Sequence, residues 1–253
     1  VVGVGHFGRH HARVLSALPG VHLEAVVDVD VERAQATAAE VGTGFESDVS
    51  SLGGRVDAVT LAVPTAAHHA VALPLLTRGI SVLVEKPIAK SVAEADELIA
   101  AAAKSGAVLA VGHAERYNPA VAVALPLVQS PRFIEVHRIG AFPGRSLDID
   151  VVFDLMIHDL DIILTAVGSE VASVEAVGVP VLTDRADIAN ARLTFETGCI
   201  ANLTASRISR EQIRKLRFFQ QDAYISVDCA AREVEGWRVM RGSGPSPTIE
   251  GGK

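Results

Sequence analysis

Short apolar runs alternate with amphipathic stretches through the first half of the chain. Residues 1–4, 23–28, 58–63, 80–84 and 108–111 are nearly continuous apolar runs rich in valine and isoleucine. Such runs predict strands covered on both faces. Between them, a stretch from a glycine turn to about Ser16, then 31–41, 68–78 and 92–104, read as helices, with Gly79 and Gly106 closing the last two. Regular strand–helix alternation predicts a doubly wound parallel sheet with right-handed crossovers.

The period changes after Tyr117. Residues 119–128 predict a short apolar helix, and 132–139 alternate as an antiparallel strand does. Residues 151–167 predict a helix, with Val152, Met156, Leu160, Ile163 and Val167 as its apolar stripe. Six strands follow, at 171–179, 189–195, 199–205, 215–219, 224–227 and 234–240. Glu196-Thr197-Gly198 and Gln221-Asp222 are hairpin signals among them. The fold class is therefore α/β: a Rossmann-type sheet over 1–117, then an α+β domain with a mainly antiparallel open sheet over 118–253. The chain starts inside an apolar run without Met, and its Gly/Pro/Ser-rich tail, 242–253, predicts no closing element. Truncation at both ends is the expectation.

Composition narrows the function classes. The chain has 253 residues, 49% hydrophobic and 21% charged, enough for a core without staples. Its 23 basic and 30 acidic residues leave a net charge of −7, and aromatics make up 4%. That balance argues against a nucleic-acid partner. Mean hydropathy is +0.32, yet no apolar run reaches the roughly 18 residues of a membrane span. Cys199 and Cys229 give neither a disulfide framework nor zinc-site spacing. Two reduced thiols and no visible secretory signal predict a cytoplasmic protein.

Gly3-Val4-Gly5-His6-Phe7-Gly8 is a G-x-G-x-x-G that follows a predicted strand and opens a predicted helix. In that context the first glycine makes the turn, the second admits a pyrophosphate, and the third lets helix and strand pack. Asp28 ends the next strand at the distance where a carboxylate meets an adenosine ribose. It would repel a 2′-phosphate, so NAD is expected over NADP. Pro64, Thr65 and His68 follow the third strand and are expected to wall the dinucleotide cleft. Thr65 is equally read as a helix N-cap. His10 and His11 are expected only to pack and meet solvent.

Glu85-Lys86-Pro87 places two charges at the end of a buried strand. A lysine there is costly unless paired or used, and its ammonium can stabilise developing alkoxide charge. The alternative is a solvated Glu–Lys pair. Asp154, His158 and Asp161 fall at i, i+4, i+7 along the nearly buried helix. The spacing suits a neutral imidazole acting as general base with a carboxylate one turn earlier. A histidine merely satisfied by Asp154, or a zinc or manganese site, are the alternatives; no second ligand cluster supports a metal, and none is expected.

Taken in order, five segments resemble the glucose-fructose oxidoreductase / inositol dehydrogenase / MocA family. They are residues 3–12, Val63-Pro64-Thr65 with His68, Glu85-Lys86-Pro87, residues 112–119, and Asp154 with His158. The resemblance implies a nicotinamide-dependent oxidoreductase acting on a sugar, nucleotide sugar or cyclitol. It implies Lys86 as the catalytic lysine and His158, aided by Asp154, as proton acceptor. It places Glu85 by the cofactor and Arg116 and Asn118 by the substrate, with Asp161 as a further substrate residue. It also implies a homodimer or homotetramer built on the antiparallel sheet. Residues 154–161 resemble the branch of UDP-N-acetylglucosamine 3-dehydrogenases. Rival readings are an inositol or other sugar dehydrogenase, a non-catalytic NAD sensor, or another enzyme on the same scaffold. Family members commonly run past 300 residues with a closing helix, which this chain lacks.

Overall fold

A computed structural model describes residues 1–142, 149–240 and 248–252. The chain divides into two compact units, Val1–Gly112 and His113–Lys253. Residues 113–117 belong with the second unit, because Glu115 and Arg116 make their ion pairs there, to Arg138 and Asp161.

The first unit carries strands β1 (Ala25–Val27), β2 (Gly44–Glu46), β3 (Ala58–Leu61), β4 (Ser81–Val84) and β5 (Leu109–Val111). β1 pairs with β2, and β4 lies between β3 and β5, all parallel. Residues 1–4 do not form a full strand. Val2 bridges Val27 on one side and Leu61 on the other, also parallel. Gly3 then turns the backbone out at φ +80°. The spatial order is β2, β1, the N-terminal segment, β3, β4, β5. It reverses beside the N-terminal segment, the switch point where open parallel sheets bind ligands. β2 gave no sequence signal, since Gly44-Phe45-Glu46 holds a single apolar residue.

Helices α1 (His6–Ala17), α2 (Val31–Val41), α3 (Thr65–Thr77) and α4 (Val92–Ser105) link the strands. Val4, Ala12, Val26 and Ala38 form one apolar layer with α1 and α2. Leu61, Leu75, Val84 and Leu98 belong to another with α3 and α4. Caps set the ends. Asp30 accepts the Arg33 N–H and Ser91 the Glu94 N–H, while Gly42 and Gly106 close α2 and α4 in the left-handed region. α3 begins three residues before its expected start, with Pro64 at its N-cap, and Thr65 makes no side-chain cap bond.

The second unit is an eight-stranded sheet of β6 (Phe133–Ile139), β7 (Val171–Val179), β8 (Ile188–Phe195), β9 (Ile200–Ser206), β10 (Ile213–Gln220), β11 (Ala223–Asp228), β12 (Glu233–Met240) and β13 (Thr248–Gly252). The order is β13-β12-β11-β10-β6-β9-β8-β7, antiparallel except where β6 meets β9. The tail thus contributes an edge strand, β13, which its glycines concealed. α5 (Pro119–Ala124) and α6 (Ile157–Val167), with Met156 just before α6, pack on the sheet through Val121, Met156, Ile162 and Ile163 in one cluster with Ile134, Leu203 and Phe218. The helix expected over 119–128 changes to a 3₁₀ turn at Leu125, where Pro126 lacks the N–H an α-helix needs. The helix expected over 151–167 opens as a π-turn, Val152–Met156. Among the described residues, no helix is long and apolar enough to cross a membrane.

Candidate active site

The glycine loop is built by two close approaches and one opening. A Cβ at Gly3 would lie 2.7 Å from the Val63 nitrogen, and one at Gly8 would lie 1.7 Å from the Gly3 oxygen. The chain's own packing therefore demands both glycines. A Cβ at Gly5 would meet nothing within 4 Å. The packing does not require that glycine, and the backbone there is open to approach. α1 starts at His6 with no side-chain cap and no acidic residue in its first turn. Its N-terminus suits a phosphate. Phe7 is half exposed on this turn, and the His6 ring meets Phe7 edge-on at 5.3 Å. These residues fit a dinucleotide's pyrophosphate.

Asp28 lies at the same loop. Its carboxylate is buried, accepts the Val4 N–H at 2.9 Å and the Asp30 N–H at 3.0 Å, and has the Arg33 guanidinium 3.4 Å away. The acid expected at the ribose position thus also ties the glycine loop to the end of β1.

At the end of β4, the Glu85 N–H donates to the Leu61 oxygen at 2.9 Å. Its carboxylate accepts the Lys86 N–H at 3.1 Å and faces His11 Nε2 at 3.0 Å. Burial pushes the Glu85 carboxyl up, but His11 and Lys86 together hold it below its ordinary value. His11 was missed as a functional neighbour. The available signal was its place one turn past Gly8, on the same face of α1. Gly112 lies against this carboxylate, where a Cβ would be 2.9 Å from Glu85 Oε1. The Lys86–Pro87 peptide is cis.

His68 is placed differently from a cofactor-facing residue. It is 1% exposed, with Nδ1 2.9 Å from the Pro87 oxygen and Nε2 2.9 Å from the Val63 oxygen. Both ring nitrogens face backbone oxygens.

In the second unit, the π-turn carries Asp154, and α6 carries His158 in its first turn, both half-buried. The Ile157 N–H reaches back to the Val152 oxygen, one residue further than an α-helix allows. Such turns recur at functional sites. The three expected substrate residues all have protein partners. Arg116 Nε donates to Asp161 at 2.9 Å. Asn118 caps α5 by accepting the Ala120 N–H at 3.0 Å, and its Nδ2 donates to Glu115 at 2.9 Å and the Cys229 oxygen at 3.0 Å. Beside His158, sequence reasoning missed Asp159, which is buried in a two-pronged pair with Arg138 at 2.8 Å and 2.8 Å. Arg138 also donates to Glu115 at 2.9 Å. A charge on the apolar side of a helix needs such a partner, and that requirement was the signal.

Comparisons with known proteins agree with this architecture. Residues 1–113 match the model of an oxidoreductase family with an NAD-binding Rossmann fold, and residues 144–226 match the GFO/IDH/MocA C-terminal domain. The chain is 43% identical over 252 residues to the UDP-N-acetylglucosamine 3-dehydrogenase of Acidithiobacillus ferrooxidans, covering 99% of this chain and 79% of that protein. A solved structure of that dehydrogenase superposes with a TM-score of 0.91 at 41% identity, over 100% of this chain and 81% of that one. An inositol 2-dehydrogenase of Saccharopolyspora erythraea is 31% identical, over 69% of this chain and 55% of its own length. The chain therefore belongs to the GFO/IDH/MocA oxidoreductase family, and its first unit is that family's NAD-binding Rossmann domain.

Proposed function

We propose that the protein is an NAD-dependent dehydrogenase that oxidises a secondary hydroxyl of a nucleotide sugar, with the 3-position of UDP-N-acetylglucosamine as the first substrate to test. The supporting observation is 43% identity across 99% of the chain to an enzyme of that name, together with a dinucleotide cradle open at Gly5.

Bound NAD would supply the hydride acceptor for the substrate carbon. The chain's own residues do the rest. The first turn of α1 and the loop Gly3–Gly8 bind the pyrophosphate, and Asp28 accepts ribose hydroxyls. The His158 imidazole takes the hydroxyl proton, with Asp154 orienting the ring. The Lys86 ammonium donates to the substrate oxygen as the carbonyl forms and stabilises its negative charge. Arg116 and Asp161 border the substrate as a pair, and Pro64 and Thr65 border the dinucleotide.

The protein is also assigned to the cytoplasm and to a homodimer or homotetramer. Support for assembly comes from the outer face of the large sheet. Phe133, Phe219 and Tyr224 line up there with ring centroids 5.6 Å and 5.0 Å apart, and Trp237 pairs in register with Tyr224. Light scattering after gel filtration reads the assembly directly.

The deciding experiment is an NADH-formation screen over UDP-sugars and inositols with NAD and NADP, using wild type and Lys86→Ala. Turnover of UDP-N-acetylglucosamine with NAD, lost about 10²–10³-fold in the variant at unchanged NAD affinity by calorimetry, supports the reading. Turnover of an inositol alone reassigns the substrate. Tight NAD binding with no turnover on any substrate makes the protein a dinucleotide sensor.

A further inference from the structure

We propose that His11 and His68 are positioning residues for Lys86, one holding the residue before it and the other the residue after it. The inference rests on the reading of Lys86 as the group that polarises the substrate oxygen.

The lysine side chain is long and flexible, so what a fold can fix is the backbone from which it springs. Here both neighbours are held by imidazoles. His11 on α1 lies 3.0 Å from Glu85 Oε1, while Glu85 Oε2 accepts the Lys86 N–H at 3.1 Å. Gly112 closes a further side of that carboxylate, with no room for a Cβ. On the other side, His68 on α3 holds the Pro87 oxygen and the Val63 oxygen at 2.9 Å each. A carbonyl oxygen only accepts, so each bond needs a proton on the ring nitrogen that faces it.

The two histidines come from the helices that open at the glycine loop and at Pro64. The segments expected to hold the dinucleotide therefore also fix the lysine on both flanks. A shift of about 1 Å in such a group costs on the order of 10²-fold in rate.

The test compares His11→Phe, His11→Gln, His68→Leu and His68→Asn with wild type. Gln restores a donor near the Nε2 position, and Asn restores one near Nδ1, facing Pro87. His22→Ala is the control, at an 88% exposed side chain. Four quantities are read: melting temperature, NAD affinity by calorimetry, kcat and KM for UDP-N-acetylglucosamine with NAD, and the Lys86 ammonium titration in ligand-free protein. The last uses 13C NMR after reductive methylation. The chain has five lysines, and Lys86→Arg assigns the resonance.

His11→Phe and His68→Leu are expected to lower kcat about tenfold or more at unchanged NAD affinity, and to move the Lys86 midpoint. His11→Gln and His68→Asn should return both toward wild type, and His22→Ala should change neither. An unmoved Lys86 midpoint in folded His11 and His68 variants overturns the proposal. So does a kcat loss that only follows the folded fraction. If His68→Leu does not fold, His68→Asn and the His11 pair decide. If wild type turns over nothing, the functional reading fails, and the Lys86 midpoint still decides the positioning claim.

Discussion

At the scale of single residues, the chemistry proposed here divides between an ammonium and an imidazole. His158 lies in the first turn of α6, directly after a π-turn that carries Asp154. That turn has an extra residue in its hydrogen-bonded ring, so it alters where Asp154 stands relative to a regular helix. His158→Asn keeps a polar side chain but cannot accept a proton in this way. The variant should lose the rise of kcat with pH that a titrating base produces, with kcat down about 10²–10⁴-fold. Stopped-flow or steady-state rates from pH 6 to 9 check this, and a pH–rate profile identical to wild type rules His158 out as base. Asp159, one position on, has a different task. It faces the sheet and pairs with Arg138, a supporting contact separate from the chemistry proposed for its neighbour.

At the scale of elements, the glycine loop and α6 lend themselves to paired substitutions. Gly5→Ala adds a methyl group into open space, whereas Gly8→Ala drives one into the Gly3 carbonyl. The first should leave the melting temperature near wild type and weaken NAD binding. The second should lower both, because β-strand and helix must separate. Thermal melts and calorimetry on the two variants distinguish the outcomes, and undiminished NAD affinity in Gly5→Ala would remove the loop from the binding site. Arg138→Met on β6 strands the buried Asp159 of α6 and leaves Glu115 without its guanidinium. Breaking a buried pair from one side costs about 3–5 kcal/mol. Adding Asp159→Leu should recover part of that loss, since the second buried charge is then gone as well. Urea unfolding of the single and double variants measures both, and equal instability of the two would mean that packing, not the stranded charge, sets the cost.

For the whole molecule, pH acts through the carboxylates. Burial raises Glu85, but His11 and Lys86 bring it net below the ordinary value; backbone N–H groups of Ala231 and Ala230, with Lys215, lower Asp228. Asp48 is lowered by Ser50. The unfolded chain takes up protons on these groups at ordinary carboxylate values, near 4, while the folded chain keeps them ionised to lower pH. Their contribution is complete above that range and is lost as pH falls through the folded values. Asp159, pushed up by burial, works in the opposite sense. The urea midpoint should therefore fall between pH 7 and pH 3.5, and a midpoint that rises on acidification would show Asp159 dominating. What the sequence by itself determined was set at short range: the strand–helix alternation, the spacing from Gly3 to Asp28, the close of α4 at Gly106, and Lys86 at a strand end. Those signals are local because backbone turns, helix ends and buried runs are decided within a few residues. What only the tertiary structure decided was which distant groups meet. His11 against Glu85, His68 turned inward onto Pro87 and Asp159 against Arg138 all join separate elements of the chain. Such partners are chosen by the packing of whole elements, and no periodicity in the sequence records it.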